Sequence, residues 1–293
     1  STRVSLSDAQ QLEVIKKIGE DTPDVVTDNS FGFYLYEMDE TNNPDNTEKV
    51  PFAYQDYELY KTEDGGTTWN QEDGTYGTDG DGYLKLKANE KAVFTEIPDA
   101  SRIHVEEEES PYWDQTITDT KTAVEGIRTI TFTNKYRRVL YAQKKLEGAP
   151  LDIDTTTAEF SFKVETRTSN EQKWSPLRNG TFWYVDSIRT DGGIPTKMTN
   201  RGDQGVGQTD ENGIFKIKSG EIAAIFMGSL EVQYRLTEVQ DDATGSDWIC
   251  KEKDGVTGIV PPVGTSATIT NIYRWKDLYL TKDITHQDAK ECT

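Results

Sequence analysis

Two stretches of seven residues decide the fold of this chain: "TFTNKYR" (131–137) and "TITNIYR" (268–274). They are nearly identical, and each carries an asparagine at its centre. Apolar and polar residues alternate along both, which is typical of a half-buried β-strand. A motif that returns this far along a chain predicts tandem copies of one domain.

Other segments repeat in the same order around these two. The pairs are "FGFYLYE" (31–37) with "FSFKVET" (160–166), "TDGDGYLKLKANEKAVF" (78–94) with "TDENGIFKIKSGEIAAIF" (209–226), and "RIHVEEEE" (102–109) with "QYRLTEVQ" (233–240). One segment occurs three times, as "LEVIKKI" (12–18), "LYAQKKL" (140–146) and "LYLTKDI" (278–284). We therefore predict one domain over 1–137, a second over 138–276, and the first strand of a truncated third over 277–293.

The segments alternate as strands do, with tight turns expected at "TDGDG" and "TDENG". The stretch "SLSDAQQLEVIKKI" (5–18) also fits a helix capped by Ser7. Clean alternation in its two later copies favours a strand from Leu12 onward. The acidic stretches 39–48 and 62–82 are predicted to be long loops.

The same alternation places three polar residue types on the apolar face of the strands. In each of the three repeated segments 12–18, 140–146 and 278–284, a lysine follows two apolar residues on the same face. A glutamate ends the apolar face that begins at Ile103 in the first copy and at Val232 in the second. In each copy an asparagine stands between apolar residues of its face. In "EEEE" (106–109), Glu106 and Glu108 are alternatives, but the phase of Ile103 and Val105 favours Glu107. The predicted trios are Lys16, Glu107 and Asn134 in the first copy and Lys144, Glu238 and Asn271 in the second; Lys282 has no partners in the sequence.

Buried together, these three residue types supply the groups that an amide exchange reaction needs. Burial favours the neutral amine of lysine and the neutral acid of glutamate. The amine can attack the asparagine Cγ while the acid hydrogen-bonds the amide oxygen and shuttles protons, so that ammonia leaves. The product is a Lys–Asn isopeptide crosslink, formed once without turnover. The ordinary alternative is a snorkelling lysine, a buried ion pair and an asparagine at a strand end.

These motifs resemble the tandem immunoglobulin-like domains of Gram-positive surface proteins, namely Cna B-type domains and streptococcal major pilins. "YRLTE" (234–238) and "TITNIY" (268–273) carry the likeness most closely. The resemblance implies an all-β chain of two tandem immunoglobulin-like (Cna B-type) β-sandwiches. It also implies a crosslink from the first-strand lysine to the last-strand asparagine, with the glutamate as catalyst. No sortase-recognised pilin lysine motif is seen, which favours an adhesin or other wall-anchored stalk over a pilus shaft.

The composition of the chain argues against several classes of function. The 293 residues include 52 acidic and 32 basic side chains, a net charge of −20. Such a surface repels nucleic acid. No apolar run is long enough for a transmembrane helix, and no signal peptide or wall-sorting tail is seen, so we expect an internal, monomeric segment of a longer exported chain. Two cysteines, Cys250 and Cys292, are too few for a disulfide framework.

Conventional enzyme activity is not expected, because His104 and His286 are the only histidines and cannot build a multi-histidine metal site. No cofactor and no metal ion is expected. The tripeptide "RGD" (201–203) and the Asp-rich loops are interpreted as ordinary polar loops. Trp69, Tyr76, Trp113 and Trp174 are candidates for a contact surface, although such aromatics more often cover a core edge.

Two functions follow. The first is a crosslinked structural stalk or adhesin segment on the wall-anchored surface of a Gram-positive bacterium. The alternative is a binding module, in which the long acidic loops of the first domain recognise a host extracellular protein or glycan.

Overall fold

The computed structural model describes residues 10–38, 49–121, 125–198, 205–239 and 247–274. The earlier strands are β1 (Gln10–Ile18), β2 (Ser30–Met38), β3 (Lys49–Pro51), β4 (Asp56–Lys61), β5 (Asn70–Gln71), β6 (Tyr76–Gly77), β7 (Tyr83–Lys87), β8 (Glu90–Ile97), β9 (Ile103–Glu107), β10 (Trp113–Asp119) and β11 (Ile127–Tyr136). The later strands are β12 (Val139–Glu147), β13 (Glu159–Arg167), β14 (Ser175–Pro176), β15 (Thr181–Val185), β16 (Val206–Gln208), β17 (Ile214–Lys218), β18 (Ile222–Phe226), β19 (Gln233–Val239), β20 (Trp248–Asp254), β21 (Thr257–Ile259) and β22 (Thr265–Tyr273). Two 3-10 helices cover Asp24–Val26 and Ala100–Arg102.

Strands β1 to β11 form the first sandwich. One sheet has the order β10-β11-β1-β8-β4-β5, with β6 also paired to β4, and the other joins β3, β7 and β9 to β2. Strand β1 runs parallel to β11 and antiparallel to β8, so it lies inside its sheet. The stretch from Gln10 onward is therefore a strand, as the alternation predicted.

Strands β12 to β22 form the second sandwich on the same plan. One sheet has the order β16-β15-β18-β12-β22-β20, and the other joins β14, β17 and β19 to β13, with β21 beside β19. Strand β12 is parallel to β22 and antiparallel to β18. The prediction of an all-β chain of tandem β-sandwiches is confirmed. No helix in the described ranges is long and apolar enough to cross a membrane.

The inward-facing residues of the two sheets fill each core. The first core includes Leu12, Val14, Leu35, Leu86 and Phe132, and the second includes Leu140, Phe162, Ile217, Leu236 and Ile269. These residues alternate with polar ones along their strands, because successive side chains of a strand point to opposite faces. Burial of this apolar area is the main force that holds each pair of sheets together.

Each of the two repeated turns contains a glycine at a position where a side chain would clash with the neighbouring strand. Gly82 and Gly213 have φ angles of +73° and +75°, which glycine adopts without strain. A Cβ on Gly82 would lie 2.4 Å from the carbonyl oxygen of Leu35, and one on Gly213 would lie 2.5 Å from that of Val164. The repeated motif is therefore a close backbone approach between the turn and the neighbouring strand.

Some predicted loop features differ from the structure. The stretch 62–82 contains the short strands β5 and β6, both paired with β4, because its residues return to the sheet edge. Trp113 is only 6% exposed and packs against Phe31 and Tyr136 in the core, so it is not a surface residue. The acidic stretch 39–48 lies outside the described residues.

A short joint connects the sandwiches. Arg137 and Arg138 are the only residues between β11 and β12. Arg138 is buried and donates to the carbonyl oxygen of Val260 at 2.7 Å. Asp114 accepts from Arg137 Nε at 2.7 Å and from the amide of Ser229 at 2.9 Å. Asp114 thus ties the first sandwich to the backbone of the second, and Arg138 anchors the joint to Val260.

Candidate functional site

Parallel pairing of the first and last strands brings each predicted lysine beside its asparagine. In the first sandwich Ile18 pairs with Asn134, and Lys16 lies two residues before Ile18 on the same face. In the second, Leu146 pairs with Asn271, and Lys144 again lies two residues earlier. The two lysines are completely buried and the two asparagines are buried. The sequence motifs therefore generate the same local geometry twice.

The glutamate reaches the lysine and the asparagine from the opposite sheet. Glu107 ends β9, which pairs with β2, and its side chain is 2% exposed. Lys16 Nζ lies 3.0 Å from its Oε1 and 2.9 Å from its Oε2. Asn134 Nδ2 donates to Oε1 at 2.5 Å. One carboxylate therefore bonds to both groups that the proposed reaction would join.

The second sandwich builds the same trio. Lys144 Nζ donates to Glu238 Oε2 at 2.8 Å, and Asn271 Nδ2 donates to Oε1 at 2.7 Å. The Glu238 side chain is 12% exposed, compared with 2% for Glu107. The two sites thus share their connectivity, but the second carboxylate is less enclosed.

The neighbouring glutamates of "EEEE" have other partners. Glu106 forms an ion pair with the exposed Lys49 at 2.6 Å, and Glu108 accepts from the hydroxyl of Tyr83 at 3.1 Å. Both point away from the core because they lie one residue out of phase with Glu107. The structure places Glu107, and not its neighbours, beside the lysine.

Two phenylalanines flank each buried ammonium group. Lys16 Nζ lies 4.0 Å from the ring centre of Phe31 and 5.9 Å from that of Phe33. Lys144 Nζ lies 4.4 Å from the ring of Phe160 and 6.0 Å from that of Phe162. The repeated F-x-F motif predicted a corresponding strand in each copy, without indicating a role for its rings. Its recurrence with the lysine motif was the signal that these rings belong to the sites.

This apolar surrounding changes the lysine acidity. Burial lowers the pKa of Lys16 to about 8, against the opposing charge and hydrogen bond of Glu107. Burial likewise lowers the pKa of Lys144, opposed by the hydrogen bond and charge of Glu238 and by Cys250. A lowered lysine pKa makes the neutral, nucleophilic amine more accessible near neutral pH.

The asparagine carboxamides are oriented differently from the sequence-based expectation. Their Nδ2 atoms, not their oxygens, face the carboxylates, because an ionised carboxylate only accepts hydrogen bonds. The oxygens Asn134 Oδ1 and Asn271 Oδ1 are buried, and neither has a hydrogen-bond partner among the described residues. An unsatisfied buried acceptor costs about 1–3 kcal/mol, so each trio holds its amide in an unfavourable state.

A cleft of about 510 Å³ opens beside the first trio. Glu107, Asn134 and Gln115 contribute to its wall, together with Arg137 and, from the second sandwich, Thr181. The first site is therefore buried at the lysine but close to solvent at the carboxylate and the asparagine.

The remaining sequence candidates differ in what the structure shows of them. Lys282, Cys292 and the "RGD" tripeptide lie outside the described residues, and Cys250 is a free thiol. No group of three or more His, Cys, Asp or Glu side chains in the described ranges could hold a metal ion. Trp69 faces the ammonium of Lys91, and Trp174 lies between two arginine side chains.

No protein-family model and no curated protein sequence matches the chain. Among solved structures, the major pilin of Streptococcus pyogenes is similar, with 14% identity, 91% of this chain and 98% of that chain covered, and a TM-score of 0.28. The minor pilin GBS52 of Streptococcus agalactiae has 12% identity, with 93% and 100% covered and a TM-score of 0.29. A pilus-presented adhesin, Cpa, has 12% identity, with 65% and 35% covered and a TM-score of 0.26. These three similar structures are pilus proteins by their descriptions.

Proposed function

We propose that this chain is a structural stalk or adhesin segment of a Gram-positive, wall-anchored surface protein, in which each sandwich closes through a Lys–Asn isopeptide bond. The bonds join Lys16 to Asn134 and Lys144 to Asn271, one in each of the domains 1–137 and 138–276. The observation that carries the proposal is the buried Lys–Glu–Asn trio, present twice between the first and last strands of a sandwich.

The reaction begins from the ion pair. Lys16 passes a proton to Glu107 along their 2.9 Å hydrogen bond, which leaves a neutral amine and a neutral acid. The amine attacks Cγ of Asn134. Nδ2 then takes a proton from Glu107, and the bond from Cγ to Nδ2 breaks. The Lys16 nitrogen, now bonded to Cγ, gives a proton back to Glu107. The remaining proton leaves with ammonia as ammonium, so Glu107 ends as the carboxylate it was.

The buried oxygen Asn134 Oδ1, which has no hydrogen-bond partner among the described residues, takes part in the attack step. Once Glu107 is protonated it can donate a hydrogen bond. A half-turn of the Asn134 carboxamide brings Oδ1 to that donor, which stabilises the negative charge that develops on Oδ1 during attack. Glu238 would act in the same way on Asn271.

Intact-mass measurement of the purified chain tests the proposal. The mass should fall short of the sequence mass by two ammonia molecules, and peptide mapping should find the two expected crosslinks. The control is the Asn134→Ala/Asn271→Ala double variant, whose mass should match its sequence. An unmodified wild-type mass would leave two ordinary buried ion pairs and contradict the proposal.

Ligand binding by the first sandwich is the second candidate. An open cleft of about 310 Å³ lies between β4 and β6, with carboxylates and the stacked rings of Tyr57 and Tyr76 in its wall. Aromatic faces and carboxylates suit the apolar faces and hydroxyls of a sugar. Glycan-array binding by the whole chain, lost in Tyr76→Ala, would support this function, and an array without signal would remove its support.

A further inference from the structure

A residue outside the two trios contacts the glutamate of the first site. Strand β10 flanks β11, and Gln115 pairs directly with Asn134 in their antiparallel register. The Gln115 side chain turns toward Glu107 and donates from Nε2 to Oε2 at 3.0 Å. The sequence pattern gave no indication of this contact, because it depends on the β10–β11 register and occurs in one copy only.

This hydrogen bond completes the coordination of the Glu107 carboxylate. Oε1 accepts from Lys16 and Asn134, and Oε2 accepts from Lys16 and Gln115. A carboxylate has about four lone-pair positions, so all are used. Rotation of the carboxylate would break bonds on both oxygens. Gln115 and Glu107 both line the adjoining cleft.

The second sandwich provides a natural comparison. There Cys250 occupies the same position, paired with Asn271 across β20 and β22. Its described hydrogen bond is a weak one from Sγ to the carbonyl oxygen of Glu252 at 3.9 Å, and it gives none to Glu238. The described partners of Glu238 are Lys144 and Asn271 alone, and its side chain is the more exposed of the two glutamates.

We propose that Gln115 is a positioning residue for bond formation at the first site. It holds the Glu107 carboxylate between Lys16 and Asn134 through its hydrogen bond to Oε2. The second site, with Cys250 at this position, lacks that support and forms its bond more slowly. The inference rests on the proposed function.

The physical reason is the sensitivity of proton transfer to geometry. Glu107 must receive a proton from Lys16 and deliver one to Asn134 within the same arrangement. Small misplacements of groups in such a reaction cost one to two orders of magnitude in rate. Gln115→Met keeps the length of the side chain and removes the donor, so we expect the first bond to form about tenfold more slowly.

The experiment follows both bonds in one molecule. The chain is made by cell-free translation, trapped in denaturant before it folds, and diluted into native buffer. Tryptophan fluorescence reports folding, and peptide mass spectrometry of quenched samples reports each crosslink. In the wild type the first bond should form faster than the second. Gln115→Met should slow the first bond alone, and Cys250→Gln should accelerate the second.

A control separates positioning from a merely structural role. In an Asn134→Ala background the first bond cannot form, and adding Gln115→Met should leave the folding rate unchanged. An unchanged or faster first bond in Gln115→Met would overturn the inference, as would a slowing matched by slower folding. Those results leave the crosslinks themselves intact, whereas the absence of both bonds in the wild type would overturn the proposed function and this inference together.

Discussion

Lys16 and Asn134 lie on adjacent parallel strands and donate to the same oxygen of Glu107, at 3.0 and 2.5 Å respectively. These strands are the first and the last of the sandwich. A covalent bond between the two side chains would therefore fix the ends of the domain to each other. It would do so at the centre of the sheet, where β8 and β11 enclose β1 on either side.

Removal of one glutamate should abolish one bond. Glu107→Ala should lose the first crosslink and keep the second, because each carboxylate bonds to the lysine and asparagine of its own site. Glu238→Ala should do the reverse. Intact mass should fall short by one ammonia in each variant, and peptide mapping should identify the surviving bond.

The neighbouring Glu106 provides the matched control. It carries the same charge one residue away but pairs with the exposed Lys49. Glu106→Ala should therefore form both bonds. If Glu106→Ala lost the first bond while Glu107→Ala retained it, the assignment of the catalytic residue would be wrong.

Blocking the first bond should make stability depend on pH. In Asn134→Ala, Lys16 remains a buried free amine. Burial lowers its pKa from the ordinary 10.5 to about 8, although its pairing with Glu107 acts in the opposite direction. Between these values the unfolded state binds a proton that the folded state does not. The free energy of unfolding should therefore rise with pH across this window, by about 3 kcal/mol in all.

Denaturant titrations of Asn134→Ala from neutral to alkaline pH measure this rise. The crosslinked wild type is the control, because its Lys16 nitrogen is an amide and does not titrate. Parallel pH profiles would contradict the prediction: either Lys16 is free in both proteins, or burial does not lower its pKa in the variant.

The second bond should limit extension under force. It closes a loop of more than about 100 residues, for which the chain-entropy estimate made for disulfides is about 4.7 kcal/mol. Tension that enters at one end would pass through the crosslink and bypass the sheets. In single-molecule pulling, Asn271→Ala should let the second sandwich extend to near its contour length. Equal extension of wild type and variant would contradict the stalk mechanism.

The sequence predicted the parts of the sites that depend on strand phase. Lys16, Glu107 and Asn134 could be placed on one face because period two is independent of tertiary contacts. Trp113 was one of the candidates for a contact surface, but the register of β10 against β11 turns it into the core. The same register brings Gln115 to Glu107. Contacts of this kind depend on which strands are neighbours, and alternation alone does not determine that.

The joint between the sandwiches should depend on Arg138. Its buried guanidinium donates to the carbonyl oxygen of Val260. Only Arg137 and Arg138 separate β11 from β12, so the linker itself is short. Arg138→Met should leave that oxygen without its donor, at a cost of about 1–3 kcal/mol. Small-angle scattering should then report a wider range of angles between the sandwiches.

The control for the joint is Lys145→Met, which removes an exposed positive charge from the neighbouring strand. Its scattering profile should match that of the wild type. If Arg138→Met also matched the wild type, the stiffness of the joint would have to come from the packing of Tyr112 against Trp183 and Phe226 instead.

Lys282 should remain a free amine in the folded protein. It matches Lys16 and Lys144 in its local sequence, with a leucine four residues before and an isoleucine two after. No further Glu and Asn segments follow it in these 293 residues. In a chain of these 293 residues, no third buried acid and amide are expected to desolvate this amine and react with it. An amine-acylating reagent should therefore modify Lys282, while the nitrogens of Lys16 and Lys144 stay unmodified. Loss of a third ammonia, or a crosslink from Lys282 into 138–276, would show that the predicted domain boundary near residue 276 is wrong.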